Sequence, residues 1–289
     1  MATEERMKKK SQFPEIVRRY KKNKLAMVGF FIMCGFIFLI IFAGLFGSYE
    51  DSITQDIMIK LQKPSAEHWF GTDNYGRDLF LRCVYGTRTS LLVGLASTSF
   101  SLILGTLVGL TAGYFGKAYD TIIMRCMDVI SSIPSILFAI VIVAALGTST
   151  FHLIVALCIS KIPMFARIVR SSTLKASGQE YIEAAVAGGT GDFRVLTKHI
   201  LPNVLGPLIV QTTTNVAAMI LQIAVLSFLG LGIPAPTPEW GAILSGAKGY
   251  LRNAAYMTYF PGLCIVLASL STNMIGDGLR DALDPKLKS

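Results

Sequence analysis

An all-α integral membrane protein with six transmembrane helices is the fold class this sequence predicts, and three observations predict it. Only 16% of the 289 residues are charged while 52% are apolar, where a soluble domain carries roughly 25% charged residues; the mean hydropathy is +0.55. The apolar residues gather into six long runs, at 25–47, 90–114, 121–146, 151–170, 208–233 and 257–279. The charges flanking those runs are unequal in sign from one side to the other.

The first element is a basic arm, residues 1–24, with nine Lys or Arg and three Glu, which supplies +6 of the net +9. Such a cluster could mean nucleic acid, but it abuts an apolar run. It therefore reads as a cytoplasmic flank, where Lys and Arg are in excess. Run 25–47 has no charge and is followed by no A-x-A cleavage site. It exceeds the roughly 7–15 apolar residues of a signal peptide and is long enough for a core about 30 Å thick, so it is expected to be a retained first span.

Six spans starting inside place both termini in the cytoplasm, with 48–89 and 234–256 outside and 171–207 inside. The charges agree. Segment 48–89 has six acids against five Lys or Arg, while Arg167, Arg170, Lys175, Arg194 and Lys198 outnumber Glu180, Glu183 and Asp192 around the inner loop. The expected organisation is thus an arm (1–24), a first helix (25–47), an outer loop (48–89), a five-helix core (90–280) holding the inner loop 171–207, and a cytoplasmic tail (281–289).

In the second span Ser97, Ser101, Gly105, Gly109 and Gly113 recur every four residues. Small side chains on one face let helix backbones approach in lipid, where hydrophobic drive for association is weak, so this span is expected at the centre of a bundle. In the fourth span Lys161 lies two residues before Pro163. An ionisable group at that depth either lines a path for solute or snorkels to an interface. In the fifth span Gln211, Asn215 and Gln222 fall within about 40° of one another at helical spacing. Amides at such depth either bond neighbouring helices or face a wet path.

Chemistry is conspicuous by its absence. There is no G-x-x-x-x-G-K-[ST], and GLGIPA at 230–235 runs into Pro234 and Pro236, where no helix can open to receive a pyrophosphate. His68, His152 and His199 are scattered, as are Cys34, Cys83, Cys126, Cys158 and Cys264. They offer neither a metal pattern nor a disulfide framework. No H-E-x-x-H or G-x-S-x-G occurs, so catalysis by this chain alone is not expected.

The inner loop, by contrast, is punctuated. Ser177 and Glu180 have the S-x-x-E spacing of a capping box, 180–187 favours helix, and Gly188-Gly189 stops it. Asp192 can cap a second helix through 193–200, which Pro202 ends or turns into the fifth span. Ala184, Ala185 and Ala187 keep the first helix thin and Glu183 adds a fixed charge, as a docking element would.

Glu183-Ala184-Ala185, Gly189 and Leu201-Pro202 resemble the EAA motif of the membrane subunits of bacterial ABC importers, with His199-Ile200 in the form associated with the peptide branch. HWFGTDNYGRDLFLRCVYGTRTSLLVG (68–94), SFLGLGIPAPTPEWGAILSGAKGYL (227–251) and the tail LRDALDPKLKS resemble the signatures of the dipeptide, oligopeptide and nickel permease family and its C-type subunits. With the six spans, the resemblance covers nearly the whole chain.

It implies a type I importer permease fold in a bacterial cytoplasmic membrane. The expected partners are a homologous B-type permease, two cytoplasmic ATPases that bind ATP and Mg, and an external solute-binding protein. It also implies that 180–189 is a coupling helix in an ATPase groove. Glu183, Ala184, Ala185 and Gly189 stand on motif positions there, with Glu180, Tyr181, Gly188 and Asp192 beside them. No cofactor, metal or nucleic acid is expected on this chain. The implied cargo is a dipeptide or oligopeptide, alternatively nickel or a metal chelate, and Lys161 departs from the family's pattern. A secondary transporter would explain six spans too, but it predicts inverted repeats and intramembrane acids that are not evident.

Overall fold

The computed structural model describes residues 13–283. The first half of the basic arm and the end of the tail lie outside the described residues. Among the described residues there is no β-strand, only an isolated bridge between Thr72 and Asp78.

A short amphipathic helix α1 (Phe13–Lys22) leads into α2 (Lys24–Ile41), which Asn23 caps by accepting the Ala26 N–H. After a segment with the small helix α3 (Tyr49–Ile53), the long α4 spans Leu79–Phe115. It begins at Leu79 rather than near residue 90, because Asp78 accepts the Leu81 N–H and starts the helix while the sequence is still polar. Part of the expected outer loop is therefore the first turns of a span.

The third run is not one helix. α5 (Lys117–Ser131) and α6 (Ser135–Leu146) meet at 83°. The break falls at Ser-Ile-Pro: Pro134 has no N–H to continue the ladder, and its ring pushes the preceding residue out of the helical region. α7 (Thr150–Ser177) follows and carries Pro163 without interruption.

Beyond α8 (Glu180–Ala187), the turn α9 (Asp192–Arg194) runs through a π-helical stretch, Val195–Ile200, into α10 (Leu201–Phe228). Pro202 thus does not end a helix. The wider turn before it absorbs the missing N–H, and Asp192–Phe228 is one continuous span. α11 (Trp240–Ala247) and α12 (Tyr256–Leu283) complete the described residues. Among the described residues, five helices are long and apolar enough to cross a membrane, six with the broken pair.

α4 packs chiefly on α7, and α12 on α10 and α2. The α4–α7 seam runs along the small-residue stripe, and Ser97, Ser101, Gly105, Gly109 and Gly113 are all buried in it. A Cβ on Gly109 would stand 2.5 Å from the Ala166 carbonyl oxygen, and one on Gly105 would stand 2.5 Å from Phe165 Cβ. Ser101 Oγ bonds the Cys158 carbonyl across the seam at 3.1 Å. Core residues cluster at both ends of this seam, around Leu157, Met219 and Ile223 at one and around Phe165, Val169 and Val204 at the other. The outer faces stay apolar: Phe31, Ile41, Val141 and Phe151 are all exposed. Such an inverted surface suits lipid or another membrane subunit, not water.

The expected outer segment 234–256 is not a free loop. Trp240 is fully buried, with Nε1 donating to the Cys83 carbonyl at 3.1 Å and its ring centroid 5.6 Å from that of Phe36. Glu239, also fully buried, accepts the N–H groups of Gly241 and Ala242 at 2.8 Å each and so caps α11.

Candidate functional site

α8 stands at one end of the bundle with a single buried side chain. Ile182 is buried among Phe165, Val169, Val195 and Ile200, while Glu180, Tyr181, Glu183, Ala184, Val186, Ala187, Gly188 and Gly189 face outward and Ala185 is half-buried. An eight-residue helix is too short to persist alone in water. Its stop signal compensates. Gly189 adopts φ +80, and the N–H groups of Gly189 and Thr190 return to the carbonyls of Val186 and Ala185. That pair of bonds is a Schellman motif, and its left-handed residue is normally glycine.

Two expected caps are corrected. Ser177 is the last residue of α7, so it cannot cap α8. The N-cap is Gln179, which makes no side-chain bond to the helix. The loop is so short that one helix ends almost where the next begins. Asp192 is the first residue of its turn rather than the cap, which is Gly191, and its carboxylate accepts from the Tyr114 hydroxyl of α4 at 2.7 Å. Asn203 of α10 donates to the Tyr181 hydroxyl at 2.8 Å. Ile182, Tyr181 and Asp192 therefore tie the loop to the bundle at three points.

Inside the bundle, the three amides Gln211, Asn215 and Gln222 of α10 each find a neighbouring helix, while its threonines bond carbonyls of their own helix. Gln211 Nε2 approaches Met164 Sδ of α7 at 3.5 Å, buried Asn215 donates to Thr98 of α4 at 3.3 Å, and Gln222 donates to Ser135 Oγ at 2.9 Å. Ser135 also takes Lys161 Nζ at 3.4 Å, which places half-buried Lys161 beside Gln222 at the α5–α6 break. Gln211 faces a second feature as well, an open cleft of about 600 Å³ between α7, α10 and α12 that Asp277 and Arg280 also line. The three amides are thus interhelical, but they do not share one environment. Among the described residues no group of three His, Cys, Asp or Glu could hold a metal ion.

The sequence that builds this bundle matches two known family models. The model of the binding-protein-dependent transport system inner membrane component covers residues 105–289, and that of the N-terminal TM domain of oligopeptide transport permease C covers 11–64. The chain belongs to this family of inner membrane transport components.

Relatives extend over nearly all of it. The dipeptide transport system permease protein DppC of Alkalihalophilus pseudofirmus is 49% identical over 96% of this chain and 91% of its own. The oligopeptide transport system permease protein OppC of Bacillus subtilis is 39% identical over 98% of this chain and 93% of its own. Among solved structures, the inward-facing MetNI methionine ABC transporter shares the fold, with a TM-score of 0.57 at 23% identity over 71% of this chain and 97% of that one. The family thereby places the chain in an ABC transport complex with an ATPase and other components.

In this inner membrane component, the stretch with the outer signature is a structural knot. Asp73 accepts the N–H groups of Tyr75 and Arg77 and the Arg77 guanidinium at 2.7 Å, with buried Arg82 at 3.5 Å. Tyr256 at the head of α12 donates to the Thr72 carbonyl, and Phe260 stacks on Phe70 at 3.8 Å. Residues 68–82 of that signature thus lock the segment before α4 to α4 and α12. Sequence reasoning missed Glu239 and Ser135. No charge pattern flags either one, although the Ser-Ser-Ile-Pro run before Ser135 is the signal of the break beside it.

Proposed function

We propose that this chain is the permease subunit of an ATP-driven importer for dipeptides or oligopeptides, itself without catalysis. α8 faces the cytoplasm and docks in a groove of an ATPase, with Glu180, Tyr181, Glu183, Ala184, Ala185, Gly188, Gly189 and Asp192 at or beside the contact. A homologous permease covers the exposed apolar faces, a second ATPase serves that partner, and an external binding protein delivers the solute. ATP and Mg belong to the ATPases. Both termini lie in the cytoplasm of a bacterial cell. Lys161, Gln211, Asn215 and Gln222 border the path between the two permeases.

The observation that carries this reading is α8 itself. Most of its residues are exposed, Ile182 and the Tyr181 hydroxyl join it to α7 and α10, and Asp192 of the following turn joins the same loop to α4. Closure of an ATP-bound dimer would move such a helix, and the joined helices would follow as a two-state element. The peptide cargo is supported by the dipeptide and oligopeptide permeases at 49% and 39% identity.

The test is uptake by the complete complex in proteoliposomes with a labelled tripeptide. ATP-dependent accumulation is expected. In Glu183→Lys, ATP hydrolysis should part from uptake, or the ATPases should be lost on purification, with the permease still in the membrane. Normal transport by that variant would remove the docking role of α8. Uptake of a nickel chelate but no peptide would reassign the cargo. Uptake that follows a proton gradient and ignores ATP would overturn the whole reading.

A further inference from the structure

α7 faces the broken pair α5–α6 through a ladder of cations, and the ladder is one carboxylate short. Arg170 binds both oxygens of Asp120 at 2.5 Å. Arg167 reaches Asp128 at 3.1 Å and Ser131 Oγ at 2.8 Å. The next cation along α7 is Lys161, opposite the start of α6. Where an acid would complete the series stands Ser135, 3.4 Å from Lys161 Nζ, and Lys161 makes no ion pair among the described residues.

The start of α6 adds positive potential beside Lys161. Ser135 is the first residue of α6, a helix of 12 residues whose N-terminus no side chain caps. Its first N–H groups therefore lack partners within the helix and carry the positive end of the dipole. Gln222 approaches from α10 and its Nε2 donates to the same Ser135 Oγ; its Oε1, an acceptor, is buried without a partner, so only the amide N–H side can face an anion. An unpaired cation inside a membrane span is costly, and such groups mark substrate pathways. Broken membrane helices whose N-termini point at anionic substrate groups are an established device of transporters. Here the ammonium, the amide and the helix end converge on one serine hydroxyl.

We propose that Lys161, the amide N–H of Gln222 and the N-terminus of α6 hold the C-terminal carboxylate of the peptide in transit. The missing rung of the ladder is supplied by the cargo. Every unmodified linear peptide carries that group whatever its side chains, so such a site would suit a path that must accept many sequences. The assignment rests on the peptide-importer reading above.

The experiment uses the complete transporter in proteoliposomes with a neutral tripeptide as free acid and as C-terminal amide. Each is supplied above its affinity for the binding protein, which is measured separately. The first readout is peptide moved per ATP hydrolysed. For Lys161→Gln, free-acid transport per ATP should fall about tenfold, the scale of a lost hydrogen bond to a charged group. Lys161→Arg should restore most of it, and Ser135→Ala should give a smaller loss. The amide, where the binding protein takes it, should be moved equally by wild type and Lys161→Gln.

Unchanged free-acid transport in Lys161→Gln would overturn the assignment. So would parallel losses of transport and ATP hydrolysis, or equal losses for acid and amide, because these are the marks of a structural lysine. A wild-type complex that hydrolyses ATP yet moves neither peptide would instead overturn the peptide reading itself, and the two failures are thus separate.

Discussion

Gly109 and Gly189 show two different reasons for the same residue. At Gly109 the constraint is space, since a Cβ would meet the Ala166 backbone at 2.5 Å. Gly109→Val should force α4 and α7 apart and lower stability by about 1–3 kcal/mol, as overpacking does, which thermal unfolding of the solubilised permease would register. At Gly189 there is open space but φ is +80. Gly189→Ala should cost about 1–2 kcal/mol through the left-handed backbone alone. Its effect should appear as loosened coupling rather than lost assembly, measurable as fewer peptides moved per ATP.

Glu239 is a third case. Burial pushes its carboxyl above the ordinary range, although the Gly241 and Ala242 N–H groups oppose the shift. An acid whose pKa is higher in the folded state binds more protons folded than unfolded. Its contribution to stability is therefore present at low pH and is lost as pH rises through the folded value. Glu239→Gln should flatten that pH dependence while still accepting one N–H. Glu239→Ala, which strands two buried donors, should cost about 2–4 kcal/mol. Thermal unfolding scans at several pH values would check both.

At the level of the element, α8 and the α5–α6 pair depend on breaks that the sequence marks clearly. Gly188-Gly189 and Ser-Ile-Pro at 132–134 are both visible as punctuation. What each break does was legible only for α8, where a Glu-Ala-Ala helix between polar turns has to stand outside a greasy bundle. For α5–α6 the apolar run from 121 to 146 hides the 83° bend, because hydropathy averages over the very residues that bend it. The caps failed for a related reason. Ser177 and Asp192 carry the right chemistry, but α7 runs on to Ser177 and Tyr114 engages Asp192, so tertiary contacts outranked local spacing.

For the whole molecule, the topology has a direct test. A single cysteine at Lys198 in an otherwise cysteine-free chain should react with a membrane-impermeant maleimide only in inverted vesicles, and one at Glu67 only in intact cells. The reverse pattern would invert every assignment of side. Composition and the six apolar runs by themselves determined that the chain is a helical membrane protein, because lipid demands long uncharged segments whose backbone bonds are satisfied internally. The small-residue stripe likewise determined that one face of α4 meets another helix closely.

The sequence could not say which helix that is, nor that Trp240 plugs back between α2 and α4, nor that Lys161 and Gln222 meet over one serine. Those are pairings between residues far apart in the chain. Periodicity reports which face of a helix is buried, but only packing in three dimensions decides which side chain lies against it.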